Sequence, residues 1–101
     1  MGAFNLLITR LECPRCRETS EMEIELFFGE KRLYRYHLGD HYHWLPRKDS
    51  SNGGRPENGT MMGEGYAVCP VCQKDFFLKI TTTKDILEKA EPNPGKPPYI
   101  P

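Results

Sequence analysis

Two short cysteine pairs constrain this chain more than anything else in it. Cys13-Pro14-Arg15-Cys16 and Cys69-Pro70-Val71-Cys72 are both Cys-Pro-x-Cys turns. A turn of this length puts two sulfurs on one side of the backbone, where neighbouring corners of a tetrahedron lie, and two such turns together supply a four-thiolate cage. One CxxC alone is shared with redox motifs. A matched pair, each with proline second, points to one structural Zn2+ held by Cys13, Cys16, Cys69 and Cys72. Iron held by the same four thiolates for electron transfer is the alternative, and disulfide or redox use of the thiols is the remaining reading.

The size of the chain makes such a staple necessary. With 101 residues, 38% of them hydrophobic, one domain with a small core is expected, and small cores are commonly held by metals or disulfides. The first ten residues carry neither a basic n-region nor a long apolar h-region, and Leu6 stands where a myristoylation site needs Ser or Thr. No run approaches the roughly 20 apolar residues of a membrane span. The expectation is a cytoplasmic protein with reduced thiols and no membrane partner. Fourteen basic residues balance fourteen acidic ones, which argues against a dedicated nucleic-acid binder.

Along the chain, residues 5–11 read as a strand entering the first knuckle, with Leu6 and Ile8 sharing a face. Residues 21–28, EMEIELFF, alternate with period two, so Met22, Ile24, Leu26 and Phe28 face a core and three glutamates face water. Gly29-Glu30-Lys31 reads as a hairpin turn into residues 32–38, in a register that sets Leu26 opposite Tyr34, Ile24 opposite Tyr36, and Glu25 opposite Arg35. Residues 41–45 read as a third strand ended by Pro46. The stretch 31–48, with Arg32, Arg35, Arg47, Tyr34, Tyr36, Tyr42 and Trp44, interleaves cations and aromatics as single-strand nucleic-acid binders do. In that register Glu21, Glu23 and Glu25 neutralise much of it, so a salt-paired sheet face is preferred. His37, His41 and His43 lack a convergent carboxylate and read as half-exposed sheet residues.

Residues 46–65 hold five glycines and two prolines and read as a long loop, disordered or ordered by a partner, with Met61 and Met62 as its apolar handle. Tyr66-Ala67-Val68 leads into the second knuckle and residues 76–82 leave it as a strand. Residues 83–85 then turn either into a hairpin strand over 86–90 or, through a capping box, into a short helix; the hairpin is preferred. The domain spans 1–91, followed by a proline-rich tail, 92–101, which frays or lies on a partner through Tyr99 and Ile100.

The two Cys-Pro-x-Cys turns, each entered and left by strands, resemble the paired knuckles of the zinc-ribbon, rubredoxin-like fold group of small bacterial-type zinc-binding proteins. The likeness covers about forty residues. Ribbons often carry glycine after the second cysteine of a knuckle, whereas Arg17 and Gln73 stand there in this chain. Fifty-two residues separate Cys16 from Cys69, a long insert that is also similar to the small zinc subunits of acetone-carboxylase-type enzymes. That likeness implies a non-catalytic subunit bracing a larger enzyme.

The fold class expected is therefore mostly β: a zinc ribbon with an inserted antiparallel sheet, a glycine-rich loop and an extended proline-rich tail. A closed four-cysteine site leaves no vacancy for water or substrate, and no other catalytic constellation stands out, so the chain reads as no enzyme and has no evident small-molecule substrate. A protein-binding accessory role is the leading expectation, with Tyr34, Tyr36, Trp44, Arg35, Met61, Met62, Tyr99 and Ile100 as contact candidates. Single-stranded nucleic-acid binding and rubredoxin-like electron transfer are the alternatives.

Overall fold

Most of the alternating sequence becomes strand, although 32–38 contributes only Arg35–Tyr36, and together the strands make one curled sheet. A computed structural model describes residues 4–46 and 53–101. Among the described residues the strands are β1 (Asn5–Glu12), β2 (Thr19–Leu26), β3 (Arg35–Tyr36), β4 (Met61–Val68), β5 (Asp75–Thr83) and β6 (Ile86–Pro92), with a 3-10 turn at Glu57–Gly59. They lie in the order β3-β1-β2-β4-β5-β6. Every pairing is antiparallel except that of β1 with β3. The chain is mostly β, as its composition and alternation indicate.

The frame is one hairpin used twice. β1 and β2 flank the first Cys-Pro-x-Cys turn, with Asn5 opposite Leu26 and Glu12 opposite Thr19. β4 and β5 flank the second, with Met61 opposite Thr82 and Val68 opposite Asp75. A shift of 56 residues (5 to 61, 26 to 82) carries the first register onto the second. The inward phase matches too: Met22, Ile24 and Leu26 on β2 and Leu78, Ile80 and Thr82 on β5 are all buried. Apart from the Cys-Pro-x-Cys residues themselves and Ile24 with Ile80, the two copies share no residue identities. The hairpins join through a narrow β2–β4 pairing, Glu25 with Tyr66 and Leu26 with Gly65.

Several sequence expectations are overturned here. β2 does not pair with residues 32–38. Its neighbours are β1 and β4, and Arg35–Tyr36 lies on the far side of β1, parallel to it. Arg35 still meets a glutamate, but it is Glu23, at 3.1 Å, rather than Glu25. The cause is Asn5, which is fully buried at the start of β1. Its Oδ1 accepts the N–H groups of Arg32 and Tyr34 (3.0 and 3.1 Å), and its Nδ2 donates to the Glu30 carbonyl at 2.9 Å. This capture draws residues 30–34 towards β1, and a tight turn at 29–31 cannot satisfy it. Leu7 rather than Leu6 or Ile8 is the fully buried leucine of β1. Residues 41–45 form isolated bridges at His41 and Leu45, not a strand.

The expected loop 46–65 is likewise cut short, because Met61–Val68 is a full strand; its residues 47–52, together with Arg47, lie outside the described residues. The glycines that argued against a strand have a packing reason. A Cβ on Gly63 would run into the Phe28 ring, and one on Gly65 would lie 2.8 Å from Ile24. The curl of the sheet presses those core side chains against bare backbone, a use of strand glycine that composition does not reveal.

Closure comes from residues 39–42. The Gly39 N–H donates to the Leu87 carbonyl at 2.7 Å and the Tyr42 N–H to the Asp85 carbonyl at 2.6 Å, linking this segment to the β5–β6 hairpin. Inside the curl sit Leu7, Met22, Ile24, Leu26, Leu78, Ile80 and Leu87 with an aromatic group around Tyr42. Burial of each aliphatic side chain contributes about 1.5–3 kcal/mol. Tyr42 stacks on Phe28 and Tyr36 with centroids 4.7 and 4.9 Å apart, and burial pushes its hydroxyl far above the ordinary tyrosine range.

The hairpin preferred for residues 83–90 is what forms, turned by two residues, Lys84 and Asp85, both at positive φ (49° and 70°). Two left-handed residues in a two-residue loop match the hand of the strand twist, but the conformation is costly for lysine. Lys84→Gly is expected to stabilise the protein by about 1 kcal/mol, a rise in Tm of about 4–8 °C that thermal unfolding would read directly. An unchanged or lower Tm would show that the turn is unstrained.

Candidate metal centre

Each knuckle forms the same way. The Arg17 N–H donates to the Cys13 carbonyl at 2.8 Å and the Gln73 N–H to the Cys69 carbonyl at 2.9 Å. The Arg15 and Val71 N–H groups each point at the sulfur two residues back, Cys13 and Cys69, at 3.3 Å. Arg17 and Gln73, where ribbons often use glycine, take φ of 69° and 58° and keep this pattern intact. The Gln73 amide further donates to the Pro70 carbonyl at 2.8 Å.

Because both knuckles lie at one end of the sheet, the four sulfurs converge. Cys13 and Cys72 have their Sγ atoms 3.9 Å apart, Cys16 and Cys69 3.8 Å apart, and all four lie within 4.8 Å of one another. Four thiolates about 2.3 Å from a central ion form a tetrahedron with edges of about 3.8 Å, so the donor set and its spacing fit a tetrahedral metal. Cys13 and Cys69 are buried, and Cys16 and Cys72 are partly exposed. Burial works against the Cys69 thiolate, but the Cys72 and Val71 N–H groups and the neighbouring thiols outweigh it and bring the thiol down to about 7. The Glu18 backbone favours the Cys16 thiolate, yet burial and the three neighbouring sulfurs prevail and raise that thiol to about 12. Four sulfurs this close cannot all carry charge without a cation among them.

The flanking cations are engaged elsewhere. The Arg15 guanidinium donates to the Asp75 and Ile100 carbonyls, both at 2.8 Å, and Arg17 pairs with Glu12 at 3.4 Å on the surface. Asp75, missed by the sequence reading, is fully buried just after the second knuckle. Its carboxylate accepts the Tyr66 hydroxyl and the N–H groups of Tyr99 and Ile100, each at 2.9 Å. The proline-rich tail is thereby tied to both knuckles.

Burial tends to raise the Asp75 carboxyl, but the Ile100 and Tyr99 amides and the Tyr66 hydroxyl outweigh it and hold it below the ordinary range. A depressed carboxyl stabilises the fold above the unfolded value, about 3.9, and that contribution is lost as pH falls through the lower folded value. Amide exchange at Tyr99 and Ile100 is therefore expected to show undiminished protection above about pH 5 and to lose it only as pH falls below the ordinary carboxyl value of about 3.9. Asp75→Ala, which removes both accepting oxygens, should expose both amides at neutral pH, separating this tie from acid release of the metal. Full protection in that variant would count against it.

The remaining candidates scatter. Tyr36 is 3% exposed, so it offers no face for base stacking. Its hydroxyl is 2.7 Å from Nδ1 of His43, whose ring stacks on Tyr34. The Trp44 indole N–H donates to Asp85 at 2.8 Å, a carboxylate also gripped by the Arg55 fork at 2.8 and 2.9 Å. Arg35, Met62, Tyr99 and Ile100 are exposed while Met61 is half-buried. His37, His41 and His43 are exposed and do not converge. Among the described residues, Cys13, Cys16, Cys69 and Cys72 are the one group of three or more such side chains placed to hold a metal, and no helix there is long and apolar enough to cross a membrane.

Fold and site together define a small, mostly β protein built from two knuckle hairpins around a four-cysteine cluster able to hold a metal ion. No family model, curated protein or solved structure matches this chain.

Proposed function

We propose that this chain is a zinc-stabilised accessory protein of the zinc-ribbon type, acting in the cytoplasm by binding another protein. The observation that carries the reading is the convergence of four sulfurs from two copies of one knuckle hairpin. Four protein ligands close a tetrahedral site, and closed cysteine sites serve structure while catalytic zinc keeps an open position. When bound, the ion would supply folding free energy; the chain's own part is to bring two thiol pairs together and shield Cys13 and Cys69 from solvent. Thiols kept reduced suit a reducing compartment.

A protein partner is supported by apolar side chains left in water, among them Leu33, Leu38, Met62 and Val71. A role as a subunit of a larger enzyme belongs to the same reading. Elemental analysis with native mass spectrometry on protein purified without added metal tests the centre. One zinc per chain supports the proposal; one iron, with visible absorbance, replaces it by electron transfer.

A further inference from the structure

On the outer face of the sheet, away from the core, three aromatic rings stand together over a cleft of about 420 Å³. Tyr66 on β4 and Phe77 on β5 are cross-strand partners with centroids 5.1 Å apart. Tyr99 closes the group from the tail, 5.8 Å from Tyr66 and 5.5 Å from Phe77, edge-on to the latter. Its place there is set by the backbone tie to Asp75. Two carboxylates, Glu25 and Glu64, share the cleft wall.

One cation already reports on this chemistry. The Lys96 ammonium lies 4.3 Å from the Phe77 centroid and pairs with Glu64. It covers one ring and one carboxylate. The rings of Tyr66 and Tyr99 remain unmatched, and among the described residues Glu25 has no ion-pair partner. The cleft thus keeps a net negative charge beside the exposed Tyr99 ring and the half-buried Tyr66 ring, which attract cations through the ring quadrupole.

We propose that this cleft binds an organic cation bearing an alkylated ammonium group, with Lys96 as its internal placeholder. A primary ammonium needs hydrogen-bond acceptors for three N–H groups, which aromatic walls do not supply, and so Lys96 leans on Glu64. A quaternary ammonium has no N–H to satisfy and loses little on entering an aromatic cage. The same group is carried by free cations of the choline type and by trimethylated lysine side chains.

The test is an NMR titration of the full, metal-loaded chain with choline, with a trimethyl-lysine peptide, and with the same peptide unmodified, at constant ionic strength. Saturable shifts at Phe77 and Tyr99 are expected for the first two. Lys96→Ala should tighten binding about 5- to 10-fold by removing the competing cation, and Tyr99→Ala should weaken it about tenfold. Tyr99 is 77% exposed, so its loss leaves the fold intact, and unchanged core methyl signals would verify that. Similar affinity for choline and peptide assigns the site to a free cation; a clear preference for the peptide assigns it to a modified protein. The absence of saturable shifts even in Lys96→Ala, equal binding of the unmodified peptide, or indifference to Tyr99→Ala would overturn the proposal.

Discussion

Removing the proposed zinc, by a strong chelator or by Cys69→Ser, is expected to unfold the whole domain rather than one corner of it. Among the described residues, the two knuckle hairpins are joined as strands only by the short β2–β4 pairing at Glu25–Tyr66 and Leu26–Gly65, beside the core side chains they share, and the four sulfurs are the clamp at the knuckle end. Structural zinc contributes about 10–16 kcal/mol in small peptides, against a total stability of about 5–15 kcal/mol for ordinary domains. Without the ion, the protons and charges of four crowded sulfurs must be redistributed, and the tail loses its footing, since Arg15 reaches Asp75 and Ile100 from inside the first knuckle. Circular dichroism during heating, with and without chelator, is the measurement. A cooperative transition at unchanged temperature in the stripped protein would mean that the curled sheet stands on its core alone.

Asn5→Ala is expected to cost about 3 kcal/mol, a fall in Tm of about 12–24 °C. The side chain is fully buried and makes four hydrogen bonds: to the Glu30 carbonyl, to the Tyr42 hydroxyl at 3.1 Å, and from the N–H groups of Arg32 and Tyr34. Each buried partner left unpaired carries a desolvation penalty of about 1–3 kcal/mol. Tyr42 keeps its own donation to the Phe28 carbonyl at 2.5 Å, so the loss falls on the 30–34 segment and on β3. Urea denaturation of Asn5→Ala and Asn5→Asp would separate the parts, because Asp keeps the acceptor for the two N–H groups but cannot donate. Equal stability of both variants with the native protein would show that water replaces the amide at no cost.

These two sites differ in how far the sequence reveals them. The cage was legible because its chemistry is local: each Cys-Pro-x-Cys turn presents its own pair of sulfurs, whatever lies between the turns. Asn5 was not, since nothing around an asparagine in a strand says that it will be buried and will hold backbone 25 to 29 residues away. The hairpin expected between residues 21–28 and 32–38 failed for the same reason. Alternation fixes which face of a strand is apolar, but a face can be covered by any strand of matching phase. The core positions Met22, Ile24, Leu26 and Phe28 were read correctly while their neighbours were not.

What the sequence by itself determined is the set of four thiols and the inward residues of β2, with the 83–90 hairpin preferred over a helix, because turn chemistry and period-two patterning act within a few residues. Only the tertiary structure decided the rest. It made a strand of Met61–Val68 by packing Phe28 and Ile24 onto bare glycine backbone, and it set the second knuckle hairpin in the register of the first. It also placed Asp75 under the tail and gathered Tyr66, Phe77 and Tyr99 around one cleft. Each of these depends on close approach between residues distant in the chain, where side-chain volume and buried hydrogen-bonding groups, rather than local propensity, select the partner.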